Sequence, residues 1–472
     1  MRKRLGEGLL CAAAAGLIAL SGCMGTRQEA PEAVVNLPVN DGSPAKLTIA
    51  VEVRESSALA SKSWAFYREL SEIIAKYQAD FPNTEIKITE DVQGELIAAG
   101  GSDAPDIELF TGADMYSRDE YPRDTDWLMD LTQYADAWSE EGSISNPASL
   151  IMHFMGGDSI YAIPCQYDQM MLYYRSDRFE EYNEGLPYNE QVGVNLWGQV
   201  LDVGDKLGDE GRLVIDKRVK PYLFDTFLWG WTDTKLIADM SAAYYQKDGS
   251  TIFTLEPAVN GVNALKRLLD TETESDDPMQ DFIDGRACIY IGTGLDMREL
   301  RDKMPGEAGT DWCAAGMPQG TYGKVVPLLS WSAWGVNKDT KEPDKAVHFL
   351  WYLTNADNST HMSVELMDGG VKPIYREAEA YEPSLLESCW SVEIGLLNKP
   401  KYSYASAMLM PGEETGVRNK VFSELFEGLG NGDTTPEEML KGLDEEYTRL
   451  LDEYRAGGNE LPWQRVSKED KE

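Results

Sequence analysis

Between Lys46 and Phe110 the hydrophobic period of the chain switches repeatedly. KLTIAVEV (46–53) is alternating and β-branched, as a strand requires. SKSWAFYRELSEIIAKYQADFP follows, with Trp64, Tyr67, Leu70, Ile74 and Tyr77 at helical spacing and Pro82 just past the end. TEIKIT (84–89) returns to the strand pattern, and APDIELF (104–110) ends in a third, apolar strand. Strand, helix, strand in that order points to an α/β sheet with crossover helices.

The pattern continues with fewer clean alternations. DWLMDLTQYADAW is a small amphipathic segment, and DSIYAIPCQYDQMMLYYRSDRFEEYN is an extended aromatic run before a helix opened by Ser176-Asp177. NLWGQVLDVGDKLG and PAVNGVNALKRLLD read as helices, and DFIDGRACIYIGTGLDMREL as helix end, glycine turn, buried strand and Gly-rich loop. VVPLLSWSAWGVNK is another strand. EPDKAVHFLWYLTN is a helix with Pro343 in its first turn and a face of Ala346, Phe349, Leu350 and Leu353. Near the end, Thr435-x-x-Glu438 with Pro436 is a capping box. About 430 residues of body exceed what one core serves, so two lobes are expected.

The first residues have a different logic. Arg2, Lys3 and Arg4 precede an apolar run, Leu9 to Leu20, too short for a bilayer of about 30 Å. The run ends at Leu20-Ser21-Gly22-Cys23, which resembles the lipobox of bacterial lipoproteins. That resemblance implies a signal peptide over 1–22 and a diacylglyceryl anchor on Cys23, holding the protein on the outer face of a cell membrane. Residues 23–45, with Pro31, Pro38, Pro44 and the Asp41-Gly42-Ser43 turn, read as a flexible tether reaching about 25 Å. The charged last residues, 461–472, read as a frayed tail.

From Cys23 onward the chain keeps 40 basic and 80 acidic residues, a formal charge of −40. A surface this acidic repels nucleic acid, so no nucleic-acid partner is expected. Apart from Cys11 and Cys23, four cysteines remain, Cys165, Cys288, Cys313 and Cys389, far apart and without a C-x-x-C pair. Buried free thiols are the favoured reading; four cysteines would allow three full disulfide connectivities. With three histidines and no H-E-x-x-H, no metal site is expected, and no cofactor. GTGLDM lacks the third glycine of a dinucleotide fingerprint, and no phosphate-binding loop of the nucleotide-triphosphatase kind occurs.

Four blocks in order resemble the extracellular solute-binding proteins of family 1, the sugar-binding partners of ATP-binding-cassette importers. PDIELFTGADMYSRD with WLMDLTQY is similar to the family's strand, pocket loop and short helix. YAIPCQYDQMMLYYRSDRFEEYN is similar to its crossover, FIDGRACIYIGTGLDMREL to its Phe-x-x-Gly-Arg-Ala segment and Gly-rich loop, and SWSAWGVNKDTKEPDKAVHFLWYLTN to its return crossover. Departures stand at Ala162, Leu295 and Ser330-Trp331-Ser332, where the family often carries Gly, Trp and a Gly pair. The resemblance implies a two-lobe α/β fold of the type II periplasmic-binding-protein kind, its discontinuous lobes joined by crossover hinge strands. The lobes would comprise 46–163 with 327–373 and 164–326 with 374–460. It implies a monomer with no catalytic residues that closes on a carbohydrate, an oligosaccharide by preference, and delivers it to permease subunits. A secreted glycoside hydrolase, a polyol- or peptide-binding lipoprotein and an adhesion lipoprotein are the competing readings.

A sugar presents an apolar ring face and a rim of hydroxyls, which aromatic faces and carboxylates or amides suit. Trp331 at the return crossover and Trp229 or Trp231, in an expected loop around Gly230, are the stacking candidates. Trp334 reads as core, and so does Trp64. Asp114 in the loop after the third strand, and Tyr167, Asp168 and Gln169 in the crossover, are candidates for the hydroxyls. Alternation pairs Tyr167 with Gln169 or Gln166 with Asp168 on the cleft face, leaving both open. Asp296 is either a ligand carboxylate or a helix N-cap, and Glu55 follows the first strand.

Overall fold

The computed structural model describes residues 37–53, 64–92, 95–101, 104–111, 127–154, 159–238, 244–306, 311–367, 370–383, 402–405 and 423–457. Its strands are β1 (Ala45–Val53), β2 (Thr84–Val92), β3 (Ile107–Thr111), β4 (Ile163–Tyr174), β5 (Leu213–Ile215), β6 (Ile289–Thr293), β7 (Cys313–Ala315), β8 (Lys324–Val336) and β9 (Tyr402–Ala405). They pair in the order β2-β1-β3-β8-β4-β6-β5, with β7 beside β4 and β9 beside β8. β1 runs parallel to both β2 and β3, so the connection between β1 and β2 must cross over. The helix Trp64–Asp80 makes that crossing. Phe66, Leu70, Ile73, Ile74 and Tyr77 form its buried face. Each such side chain is worth about 1.5–3 kcal/mol when fully buried. Tyr67, expected on that face, is half-buried at its edge, with its hydroxyl 3.4 Å from Glu90 Oε1.

Two long strands join the halves of the sheet. β8 pairs with β3 through 332–336 and with β4 through 328–334, and begins beside β9. β4 pairs with β8 through 163–169, then with β6 through 170–174. Each strand therefore changes neighbours along its length, as crossover strands between two α/β lobes must. The pairing of β4 with β8 shifts register between Pro164 and Gln166 and again between Asp168 and Gln169. Pro164 has no N–H to donate, so it belongs at such an irregularity. β4 is buried almost throughout rather than alternating, so burial does not choose between the two faces left open above. This is the two-lobe α/β architecture that the resemblance implies.

Helix Pro343–Thr354 buries Ala346, Phe349, Leu350 and Leu353, as its spacing requires. Trp334 is core: its ring stacks on Phe66, centroids 6.4 Å apart. The side chain of Trp64 lies outside the described residues. The capping box at Thr435 and Glu438 forms and opens the helix Pro436–Ala456.

The tether departs from expectation. The segment Asn40–Ala45, read as part of a flexible linker, is held against the body. Asn40 Nδ2 donates to Tyr77 Oη at 3.0 Å and Thr84 Oγ1 at 3.1 Å. Lys345, only 5% exposed, donates from Nζ to the Ser43 carbonyl and to Ser43 Oγ, both at 2.6 Å. Asn83 Nδ2 donates to the Gly42 carbonyl at 2.8 Å, and the Ala45 N–H to the Asn83 carbonyl at 3.0 Å. The Asp41-Gly42-Ser43 turn signal was correct, but the partners that fix it come from residues distant in sequence.

Candidate functional site

In open α/β sheets, ligand sites form beyond the carboxyl ends of the strands. β3 ends at Thr111 opposite Ser332 of β8, and Ser332 lies opposite Gln166 of β4. β6 ends at Thr293 opposite Met170 of β4, and β5 runs parallel beside it to Ile215. The carboxyl ends from both halves thus converge on residues 166–170 and 328–332, the middle of the crossing. That crossing is the candidate site.

Tyr167 and Trp331 are directly opposed across β4 and β8. The Trp331 ring lies 6.1 Å from Phe110 and 5.3 Å from Phe154, centroid to centroid, and 5% of the residue is exposed. Asp168 and Gln169 tie the crossing to the Gly-rich turn. The Gly294 N–H donates to Asp168 Oδ1 at 3.1 Å and to the Gln169 carbonyl at 2.9 Å.

Asp296 follows that turn. The N-cap of helix Asp296–Lys303 is Leu295, so Asp296 is the first helical residue and not the cap. Its carboxylate is nevertheless occupied within the protein. Oδ2 accepts from the Thr293 N–H at 2.8 Å and Tyr290 Oη at 2.7 Å, and Oδ1 accepts from Arg218 Nη2 at 2.7 Å. Gly292 makes room for it: a Cβ there would sit 2.4 Å from Asp296 Oδ2. The glycine read from the sequence as part of a loop is thus required by a carboxylate. Arg218 also grips Asp216, through Nε to Oδ1 at 2.9 Å and Nη2 to Oδ2 at 2.7 Å. Burial opposes ionisation of Asp216, but the hydrogen bonds and charge of Arg218 outweigh it and hold the carboxyl below its usual range. Burial, with the two neighbouring carboxylates, pushes the Tyr290 hydroxyl far up.

The expected loop at Trp229–Trp231 is a helix, Leu223–Trp231. Trp229 is 0% exposed and packs against Tyr244 at 5.8 Å, so the loop platform expected there is replaced by core. The helix is enclosed because Gly261 of the helix Glu256–Thr271 lets the two backbones touch. A Cβ on Gly261 would lie 2.6 Å from the Phe227 carbonyl oxygen. Trp231 is partly buried, its ring stacked on Phe227 at 5.2 Å. Gly230 meets Gly320, so the chain entering β8 rests on this helix.

Glu55, Asp114 and Cys23 lie outside the described residues. Cys165 and Cys288 are buried free thiols, both pushed up to about 12 by burial, and Cys313 is a half-buried free thiol; Cys389 lies outside. A depression of about 780 Å³ lies at the other end of the sheet, lined by Lys46, Glu85, Asp106 and Lys341 among others. It sits at the amino ends of β1 and β2, away from the crossing. Sequence reasoning missed Asp216, Arg218 and Tyr290. The signal available was that Asp216-Lys217-Arg218 directly follows the strand LVI, at a carboxyl end.

Among the described residues, no helix is long and apolar enough to cross a membrane. Similar folds are found in proteins of low sequence identity. A substrate-binding protein of an ABC system from Listeria monocytogenes, in complex with cycloalternan, matches at 15% identity and a TM-score of 0.57, covering 87% of this chain and 100% of its own. The sugar-binding protein MalE from Xanthomonas citri matches at 14% and 0.65, covering 88% and 100%. The cyclic alpha-maltosyl-1,6-maltose binding protein from Arthrobacter globiformis matches at 15% and 0.61, covering 87% and 99%. At these identities the likeness establishes the fold. The family model described as bacterial extracellular solute-binding protein matches residues 65–360. That span takes in the crossover helix, both crossing strands and the Gly-rich turn: the chain belongs to the bacterial extracellular solute-binding protein family.

Proposed function

We propose that this chain captures a carbohydrate, an oligosaccharide by preference, between two lobes, and hands it to the permease of an ATP-binding-cassette importer. A lipid on Cys23 holds it at the outer face of the membrane. The lobes comprise 46–163 with 327–373 and 164–326 with 374–460. The observation that carries this reading is the convergence of strand ends from both halves on the crossing of β4 and β8, where aromatic and polar side chains stand together. Tyr167, Trp331, Asp168 and Gln169 supply the crossing, Trp231 the second lobe, and Asp114 and Glu55 the loops outside the described residues. Asp296 serves by holding its neighbours, and Trp229 by packing. The family match and the sugars named for the similar folds support the same reading.

A thermal-shift screen against neutral oligosaccharides tests it. A ligand at a hundred times its Kd adds about 2.7 kcal/mol of stability. A panel that leaves the melting temperature unmoved, or that is cleaved on incubation, would count against capture and transport.

A further inference from the structure

The cluster at the ends of β5 and β6 has a consequence for ligand choice. Arg218 is the cation that ties it together, with Asp216 and Asp296 as its anionic partners. The two carboxylates take Nε and Nη2; among the described residues Nη1 has no partner, and 56% of the side chain is exposed. A guanidinium is planar, so fixing two of its nitrogens fixes the direction of the third. Asp296 is nearly fully buried and Tyr290 and the Thr293 N–H brace it, so the fork is held rigidly. The cluster adjoins the crossing, because Gly294, next to Thr293, donates to Asp168 and to the Gln169 carbonyl. At the same strand end Thr293 Oγ1, also buried, has no hydrogen-bond partner among the described residues. Buried polar atoms are normally satisfied, so this one points to a ligand or solvent partner.

We propose that Arg218 is a ligand-binding residue, donating from Nη1 to hydroxyl or ring oxygens, and that its cluster selects neutral over acidic sugars. This rests on the carbohydrate reading and narrows it. The charge argument is simple. Two carboxylates against one guanidinium leave the cluster at −1, within a chain of formal charge −38. The guanidinium therefore offers directed N–H groups without net attraction for an anion. A uronic acid would bring a carboxylate against that negative field, whereas a neutral hydroxyl accepts the hydrogen bond without this penalty. Asp216 and Asp296 act through Arg218, as positioning residues.

Calorimetry on the full chain tests this with maltotetraose, cyclomaltohexaose and xylotetraose as neutral probes and tetragalacturonate as the acidic one. The expected result is binding of at least one neutral probe, no measurable binding of tetragalacturonate, and at least tenfold weaker binding by Arg218→Met, the loss of a hydrogen bond from a charged donor. Arg218→Met strands two carboxylates, so a second variant, Asp296→Asn with Arg218→Met, relieves that charge. It should be equally weak while melting closer to wild type. Arg218→Lys, which keeps the charge and loses the fork, should also bind weakly. If wild type and both Met-containing variants bind a neutral probe within twofold of each other, Arg218 does not touch the ligand and the proposal falls. Tight tetragalacturonate binding overturns the selectivity. If wild type binds none of the four, the carbohydrate reading itself fails, and the role of Arg218 with it.

Discussion

Lys345→Ala should release the start of the body without unfolding it. Lys345 Nζ makes two hydrogen bonds to Ser43, each at 2.6 Å, from a nearly buried position. Hydrogen bonds from a charged donor contribute roughly 1.5–3 kcal/mol apiece. Ser43 is exposed, so its carbonyl and hydroxyl regain water once the lysine is gone. The nearby Asp41 carboxylate, 3.4 Å away, is mostly exposed and adds little. A net loss of about 2 kcal/mol follows, which is roughly a thirtyfold rise in the open population of residues 40–45. Native-state hydrogen exchange of a peptide covering that segment reads this directly, because the Ala45 N–H is protected by the Asn83 carbonyl. Exchange should speed up by about that factor there, and not in the helix Glu256–Thr271. Unchanged exchange at 40–45 would refute the claim that Lys345 holds the segment.

Trp229→Ala should cost about 3–5 kcal/mol of stability, read as a lowered denaturation midpoint, while the folded fraction keeps its ligand affinity; lost affinity with an unmoved midpoint would return Trp229 to the pocket. The Asp216 carboxyl titrates below its usual range in the folded state. The stability it contributes is therefore complete above the unfolded value of about 3.9 and drains away as pH falls through the lower folded value. Melting temperature measured from pH 5 to pH 2 should show that loss, and Asp216→Asn should flatten it; an identical profile in the variant would contradict the assignment. Cys23→Ala should leave the protein unlipidated and either unprocessed or released from the membrane fraction, and unchanged membrane association would sink the anchor.

The fold was legible where a local pattern governs it. The switch in period from β1 through the helix Trp64–Asp80 to β2 could be read by spacing alone, as could the capping box at Thr435 and Glu438. The crossing strands were legible as extended aromatic runs, but the side of β4 that faces the cleft was not, because both faces are covered and the alternation that would label them is absent. Trp229 misled for a related reason. Trp-Gly-Trp looks like a loop, yet it closes a helix against which Gly320 packs so tightly that a Cβ on Gly320 would lie 2.3 Å from the Gly230 carbonyl oxygen, a contact made by residues far along the chain. Arg218 was invisible because its two carboxylate partners, Asp216 and Asp296, come from different strand ends. Lys345 and Ser43 are separated still further in sequence. Periodicity reports burial; it carries no information about which charges will meet.

The insertion of β8 between β3 and β4 bears on how the protein assembles. β3 is made early, but its partner is not synthesised until most of the second half has followed. Until then β3 is an open edge, and so is the first part of β4. Open edges recruit whatever strand is near, including one from another chain. β8 is the zip that turns two half-sheets into one, and it must slide into a gap lined on both sides. A proline placed at Ala333, opposite both Phe110 and Pro164, would therefore do more than loosen a hinge. It would leave two nearly finished halves with sticky margins, and the visible outcome would be aggregated chains rather than a soluble protein that binds poorly.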